Sequence, residues 1–214
     1  MGIYEIDRVL VLAPHTDDAE LGCGGTIAKF IDQGIDIYVA VFSTAKESLP
    51  PNSPADTLKK EFLNGMAILG VQPARISVFD YPVRRLNDHR QDILENLVSL
   101  GRSISPGMVL SPSGADVHQD HQVLFAEAVR AFKRITLWGY ELPWNHIVFA
   151  AQAFVTLEAK HVEKKWEALR AYQSQLELNR RYFSNEYIEA LARVRGAQIG
   201  VEFSEAFDVT RFRW

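Results

Sequence analysis

Short, wholly apolar runs alternate along this chain with longer stretches of helical period. Residues 8–13 read RVLVLA, the pattern of a strand buried on both faces. A helix is expected over about 19–33, ending at Gly34, a residue suited to the position just past a helix. A second strand spans 35–42. Ser53-Pro54-Ala55-Asp56 is a helix start, with Ser53 as N-cap, and that helix runs to about residue 69. Further strands are expected at 75–81, 108–111 and 135–141, with helices over about 88–103 and 121–132. Residues 154–157 form a candidate sixth strand. A helix over 160–173, a helical segment at 187–194 and a final strand at 206–209 complete the pattern. Strand–helix alternation of this kind predicts an α/β fold: a Rossmann-like, mainly parallel sheet flanked by helices.

The length of 214 residues fits one domain spanning 1–214. With 47% hydrophobic residues the chain can bury a large core without disulfides, and its lone cysteine, Cys23, permits no internal disulfide. A net charge of -4 gives no reason to expect a nucleic-acid or anionic-membrane partner. The opening MGIYEIDRVLVLA is charged too early for a signal h-region, and no apolar run approaches a membrane span. The expectation is a soluble, cytoplasmic protein. The sequence sets no oligomeric state.

The polar clusters fall where expected strands end. Pro14-His15-Thr16-Asp17-Asp18 follows the first strand, and His118-Gln119-Asp120-His121 follows the fourth. In open α/β sheets ligands bind beyond the carboxyl ends of strands, so the two clusters can share one crevice. Two His and one carboxylate with an open position form a catalytic zinc set. His15 and Asp18 share a tight turn, which leaves Asp17 free as a base. Each cluster alone has a plainer explanation: Asp17 and Asp18 can cap a helix, and a lone His is usually structural. Their combination favours a site. The same donor set also holds iron in oxygenases, against which the βα alternation argues.

The segment VLAPHTDDAELGCGGTIAKF resembles the N-terminal motif of the PIG-L/LmbE-like deacetylases, and DVHQDHQ resembles their His-x-Asp-His motif. KKWEALRAYQSQ and VRGAQIGVEFSEAF are similar to the family's C-terminal stretches, so the resemblance covers nearly the whole chain in order. It implies an LmbE-like fold and zinc-dependent hydrolysis of an N-acetyl group on an amino sugar. It implies that His15, Asp18 and His121 bind one Zn2+, with Fe2+ or Co2+ as possible substitutes. It implies that Asp17 is the general base, and that His118 polarises the acetyl carbonyl or stabilises the oxyanion, oriented and kept charged by Asp120. Thr16 stands where the family usually has Pro. Tyr81-Pro82-Val83-Arg84-Arg85 stands where relatives often carry Asp-Gly.

That departure makes Arg84 and Arg85 candidate contacts to an anionic group on the substrate, against the alternative that both pair with acids such as Asp80 or Asp88. Trp144 is a candidate stacking partner for a sugar ring or a packing residue. His146 is a weaker pocket candidate. Cys23 reads as packing, and Gly22, Gly24 and Gly25 as permitting close approach of the first helix. His89 and His161 read as surface or helix-face residues, and 160–165 as a solvated helix face. Two rival functions remain open: an N-acyl amidase acting on a non-sugar small molecule, and a non-catalytic sugar- or nucleotide-binding module on the same fold.

Overall fold

The computed structural model describes residues 6–49 and 53–213. The opening segment read above as too charged for a signal h-region begins in residues 1–5, which lie outside the described residues.

Five parallel strands form the body of one sheet: β1 (Arg8–Ala13), β2 (Asp36–Val41), β3 (Ile76–Val78), β4 (Met108–Pro112) and β5 (Thr136–Tyr140). Two more, β6 (Ala153–Leu157) and β7 (Phe203–Arg211), complete the order β3-β2-β1-β4-β5-β7-β6 among the described residues. β7 runs antiparallel to both β5 and β6. The sheet is thus mixed but mainly parallel. The helices are α1 (Asp18–Asp32), α2 (Thr57–Leu69), α3 (Arg90–Ile104), α4 (Gln119–Ala131), α5 (Ala159–Leu169), a short α6 (Gln173–Leu176) and α7 (Asn185–Ile199).

The alternation within β1 shows why both faces are covered. Val9, Val11 and Ala13 enter a core built with α1, α2, α5 and α7, whereas Leu10 and Leu12 enter a second core with α3 and α4. A strand with period-2 side chains and helices on both sides must be apolar at every position. No described helix is long and apolar enough to cross a membrane.

Several boundaries differ from the sequence reading. The N-cap of α2 is Asp56, not Ser53, and it makes no side-chain cap bond. β3 stops at Val78, although Phe79 and Tyr81 still donate to the carbonyls of Val41 and Phe42. The helix expected over 160–173 breaks after Leu169, where Glu61 takes hydrogen bonds from the Ser174 backbone N–H (2.9 Å) and hydroxyl (2.6 Å) and tethers the separate α6. α7 is longer than expected: Ser184 caps it by accepting from the Tyr187 N–H, and Gly200 ends it at φ 75°. β7 extends well beyond 206–209 because it is paired on both sides.

His161 and Lys165 are buried, not solvated. His161 Nδ1 accepts from the Glu158 N–H and its Nε2 lies 3.3 Å from Asp32. Lys165 Nζ lies 2.7 Å from Glu205 Oε1.

Candidate active site

The chain runs outward from β1 to β2 and β3, then returns to place β4 on the other side of β1. At such a reversal the loops leaving neighbouring parallel strands diverge and open a crevice at their carboxyl ends. The loop from β1 to α1 brings His15, Asp17 and Asp18 there, and the loop from β4 to α4 brings His118 and His121.

Three donor atoms meet in a small triangle. Asp18 Oδ2 lies 3.1 Å from His15 Nδ1 and 3.2 Å from His121 Nε2, and those two nitrogens are 3.3 Å apart. Donors about 2.0–2.1 Å from a tetrahedral ion stand roughly 3.3–3.4 Å from one another, so the triangle matches one face of such a site. His118 is close by: one donor atom from each of His15, His118 and His121 falls within 4.8 Å of the others. These residues fit a divalent metal, and Asp18 completes the tighter of the two sets.

A second layer of carboxylates holds the far ring nitrogens. His15 Nε2 lies 2.9 Å from Asp120 Oδ2, and His121 Nδ1 lies 2.7 Å from Asp116 Oδ2. Carboxylates placed behind metal-ligating imidazoles fix ring orientation and tautomer. Asp120 is itself held by the backbone N–H groups of Arg84 (2.6 Å) and Leu86 (3.2 Å), and Asp116 accepts from the His118 N–H (2.8 Å).

The electrostatics point the same way. Burial opposes charge on His15, yet Asp18 and the hydrogen bonds to Asp120 and Asp18 carry it up to about 9. Burial also opposes charge on His121, and Asp18 and Asp116 raise it to about 10. Asp18 is held well below the usual carboxylate range because the neighbouring His121 and His15 overcome its burial. A centre that draws protons onto buried imidazoles is one that favours positive charge, which a divalent ion supplies when it displaces them.

Asp17 is treated differently by the same loop. It occupies the N-cap of α1 but makes no capping bond, so the plainer explanation of this residue fails. Its carboxylate lines the cleft and forms no ion pair among the described residues. Burial and then the charge of Asp18 raise it to about 6, against the opposing pull of His15 and Arg180.

His118 requires a correction. The carboxylate of Asp120 points at His15 rather than at His118. The contact between the two residues is instead backbone to ring: the Asp120 N–H donates to His118 Nδ1 (3.2 Å), making His118 the N-cap of α4. A ring nitrogen that accepts carries no proton, so the hydrogen of neutral His118 sits on Nε2. Burial and the adjacent His121 and His15 hold this imidazole down to about 4. It is therefore a neutral donor near neutral pH, not the cation expected from the sequence.

The cleft over these groups has a volume of about 300 Å³. Arg84 lines it, but Arg85 turns outward to Asp88 (3.4 Å), so the two expected arginines separate. Trp144 lines it as well and stacks on Tyr182 with centroids 3.8 Å apart and planes 11° apart. His146 is not part of the wall; its Nε2 accepts from the Leu142 N–H. Sequence reasoning missed Asp116, Asn145, Arg180 and Tyr182. Asp116 had a signal, an acid five residues before His121, but Arg180 and Tyr182 lie in a polar loop whose return to the cleft no local pattern announces.

The family model described as PIG-L, GlcNAc-PI de-N-acetylase, matches residues 10–132, which hold both clusters. The uncharacterised deacetylase YaiS of Escherichia coli K12 is 30% identical over 175 residues, 78% of this chain and 90% of the relative. Diacetylchitobiose deacetylase of Thermococcus kodakarensis is 26% identical, covering 94% of this chain and 82% of the relative. The solved structure of a conserved protein from Thermus thermophilus superposes with a TM-score of 0.82 at 27% identity, covering 98% of this chain and 97% of that one. The chain belongs to the PIG-L family of deacetylases.

Proposed function

We propose that this protein removes the acetyl group from an N-acetylated amino sugar, with one zinc ion held by His15, Asp18 and His121. The observation that carries this reading is the 3.1–3.3 Å donor triangle with a carboxylate free of ion pairs, Asp17, beside it in the cleft. A binding module needs no free base there. The family description and the Thermococcus relative's name share an N-acetylglucosamine unit, which supports an amino sugar as the substrate class.

A divalent ion in the triangle supplies Lewis acidity, making water acidic enough to ionise near neutral pH. Asp17 takes the proton released as water adds to the acetamide carbon, and returns it to the nitrogen as the C–N bond breaks. The products are acetate and the free amine. The Nε2–H of His118 donates to the carbonyl oxygen as negative charge develops on it. Asp120 and Asp116 hold His15 and His121 in place and touch no reacting atom. Fe2+ or Co2+ also suits this nitrogen–oxygen donor set, since geometry and availability rather than raw affinity select the metal.

The test is acetate release from a panel of N-acetylated sugars and N-acyl amino acids, before and after chelation. Release from sugars, lost on chelation and restored by zinc, is the expected result. Undiminished activity in metal-free protein overturns the metal assignment, and hydrolysis confined to amino-acid conjugates overturns the substrate class.

A further inference from the structure

Glu20 takes no part in the chemistry proposed above, yet it stands two residues after Asp18 in the first turn of α1 and is fully buried. Its Oε2 has no hydrogen-bond partner among the described residues. Burial pushes its carboxyl well above the usual range, against the hydrogen bond from Tyr172. A buried carboxyl with one oxygen unpaired stabilises a fold less than an apolar side chain of the same size, so its presence here calls for another role.

Glu20 Oε1 lies 2.5 Å from the Tyr172 hydroxyl, and that hydroxyl also meets the backbone carbonyl of Thr16. A phenol has one hydrogen and a carbonyl has none. Thr16 therefore takes the hydrogen of Tyr172, and Glu20, as the acid, supplies the other. Tyr172 has little room to move. It is fully buried, its N–H donates to the Leu169 carbonyl, and its own carbonyl accepts from the N–H groups of Gln175 and Leu176, each at 3.0 Å. α2 closes over the pair: a Cβ on Gly65 would stand 2.9 Å from Glu20 Oε1 and 3.2 Å from the Tyr172 ring.

The carbonyl gripped in this way belongs to the peptide that joins Thr16 to Asp17. That peptide is trans, a rigid plane with its C=O and N–H on opposite edges, so fixing one edge fixes the other. The metal-binding residues have supports of their own: Asp120 behind His15, Asp116 behind His121, and the His15 N–H donating to Asp18 at 2.9 Å. Asp17 makes no capping bond. Burial and Asp18 disfavour its charge, and among the groups opposing them is its own backbone N–H, on the far edge of that same peptide.

We propose that Tyr172, backed by Glu20, is a positioning residue for Asp17: by holding the Thr16 carbonyl it sets the direction in which the Asp17 carboxylate faces the cleft. Neither Tyr172 nor Glu20 lines the cleft, so neither touches a reacting atom. This rests on the deacetylase reading for what Asp17 does, but not for the hydrogen bonds that hold its loop.

The experiment compares zinc-loaded wild type, Tyr172→Phe, Glu20→Leu and Glu20→Gln. It measures acetate release from the best sugar of the panel above, zinc affinity by chelator competition, and backbone hydrogen exchange over residues 14–22. Tyr172→Phe removes a single oxygen. It should lower kcat by about 10- to 100-fold, the cost of a reacting group displaced by up to about 1 Å, with KM and zinc affinity close to wild type. Exchange over 14–22 should speed up in the same variant. Glu20→Leu should behave alike. Glu20→Gln should stay near wild type, because its amide N–H replaces the hydrogen of the acid. A merely structural role would weaken zinc affinity and KM together with kcat. That pattern, or an unchanged kcat in Tyr172→Phe and Glu20→Leu, overturns the proposal, and equal losses in Glu20→Gln and Glu20→Leu remove Glu20 from it. If wild-type protein releases acetate from no sugar, the deacetylase reading fails, and exchange still decides the brace: faster exchange in Tyr172→Phe keeps it, and unchanged exchange sinks it.

Discussion

Asp17 and Asp18 are adjacent, share one loop, and are driven in opposite directions by their surroundings. Asp18 faces two imidazoles that favour its charge, whereas Asp17 faces burial and the charge of Asp18, which disfavour its own. Paired carboxylates split in this way divide acid–base roles between them. In the proposed mechanism, Asp17→Asn retains the metal and lowers kcat by roughly 100-fold or more, the usual range for a lost general base. Asp18→Asn instead lowers metal occupancy. Metal analysis beside kinetics checks both, and loss of metal from Asp17→Asn alone would reverse the two roles. For His118, the Nε2–H donor predicts that His118→Ala keeps the metal and lowers kcat by about 10²- to 10³-fold, as expected for a missing oxyanion donor. A change confined to KM would mean that His118 only binds the ground state.

α1 shows how an element reaches a site at a structural cost. At Cys23 its backbone leaves the helical region, with φ -147° and ψ 26°. The approach to the sheet there is so close that a Cβ on Gly22 would stand 2.2 Å from the Tyr140 ring. The interruption frees the backbone N–H groups of Gly25 and Thr26, and the carboxylate of Glu205 on β7 accepts both, at 3.0 and 2.6 Å, while pairing with Lys165. Glu205 thus acts as a remote cap for the second half of α1. Glu205→Ala leaves a buried ammonium and two buried donors without an acceptor, so it should destabilise by about 3–5 kcal/mol. Glu205→Gln keeps an acceptor for the amides and should cost less. Urea unfolding of both variants measures the order, and equal stability of Glu205→Ala and wild type would refute the capping role. The Gly-rich stretch signalled close approach in the sequence, but Lys165 read as part of a solvated helix face and nothing singled out Glu205. Their partners are set by the insertion of β7 between β5 and β6, a long-range pairing that period and composition do not encode. β1, β2, β4 and β5 were legible because strands buried on both faces announce themselves as apolar runs. The meeting of the two His/Asp clusters was legible because both fall at strand ends. Arg180 was not, because no local pattern announces that its loop returns to the cleft, where Tyr182 stacks on Trp144.

At the scale of the molecule, the site is a clasp between β1 and β4, the two strands at which the sheet reverses its order. His15 and His121 are 106 residues apart in sequence, and the donor triangle exists only when both halves of the sheet are assembled. The unfolded chain presents the same side chains without that geometry, so an ion bound in the triangle favours the folded state by mass action. At a free concentration about 100 times the Kd this amounts to about 2.7 kcal/mol. For a domain of this length each kcal/mol moves Tm by roughly 2–4 °C, so zinc should raise Tm by about 5–11 °C over chelated protein. The shift should rise with the logarithm of zinc concentration and largely vanish in Asp18→Asn. In Asp17→Asn it should persist, because that carboxylate faces the cleft rather than the triangle. Calorimetric scans of wild type, Asp18→Asn, Asp17→Asn and His118→Ala across a zinc series provide the measurement. A shift that survives in Asp18→Asn and disappears in His118→Ala would move the third ligand from Asp18 to His118, the other donor near the triangle.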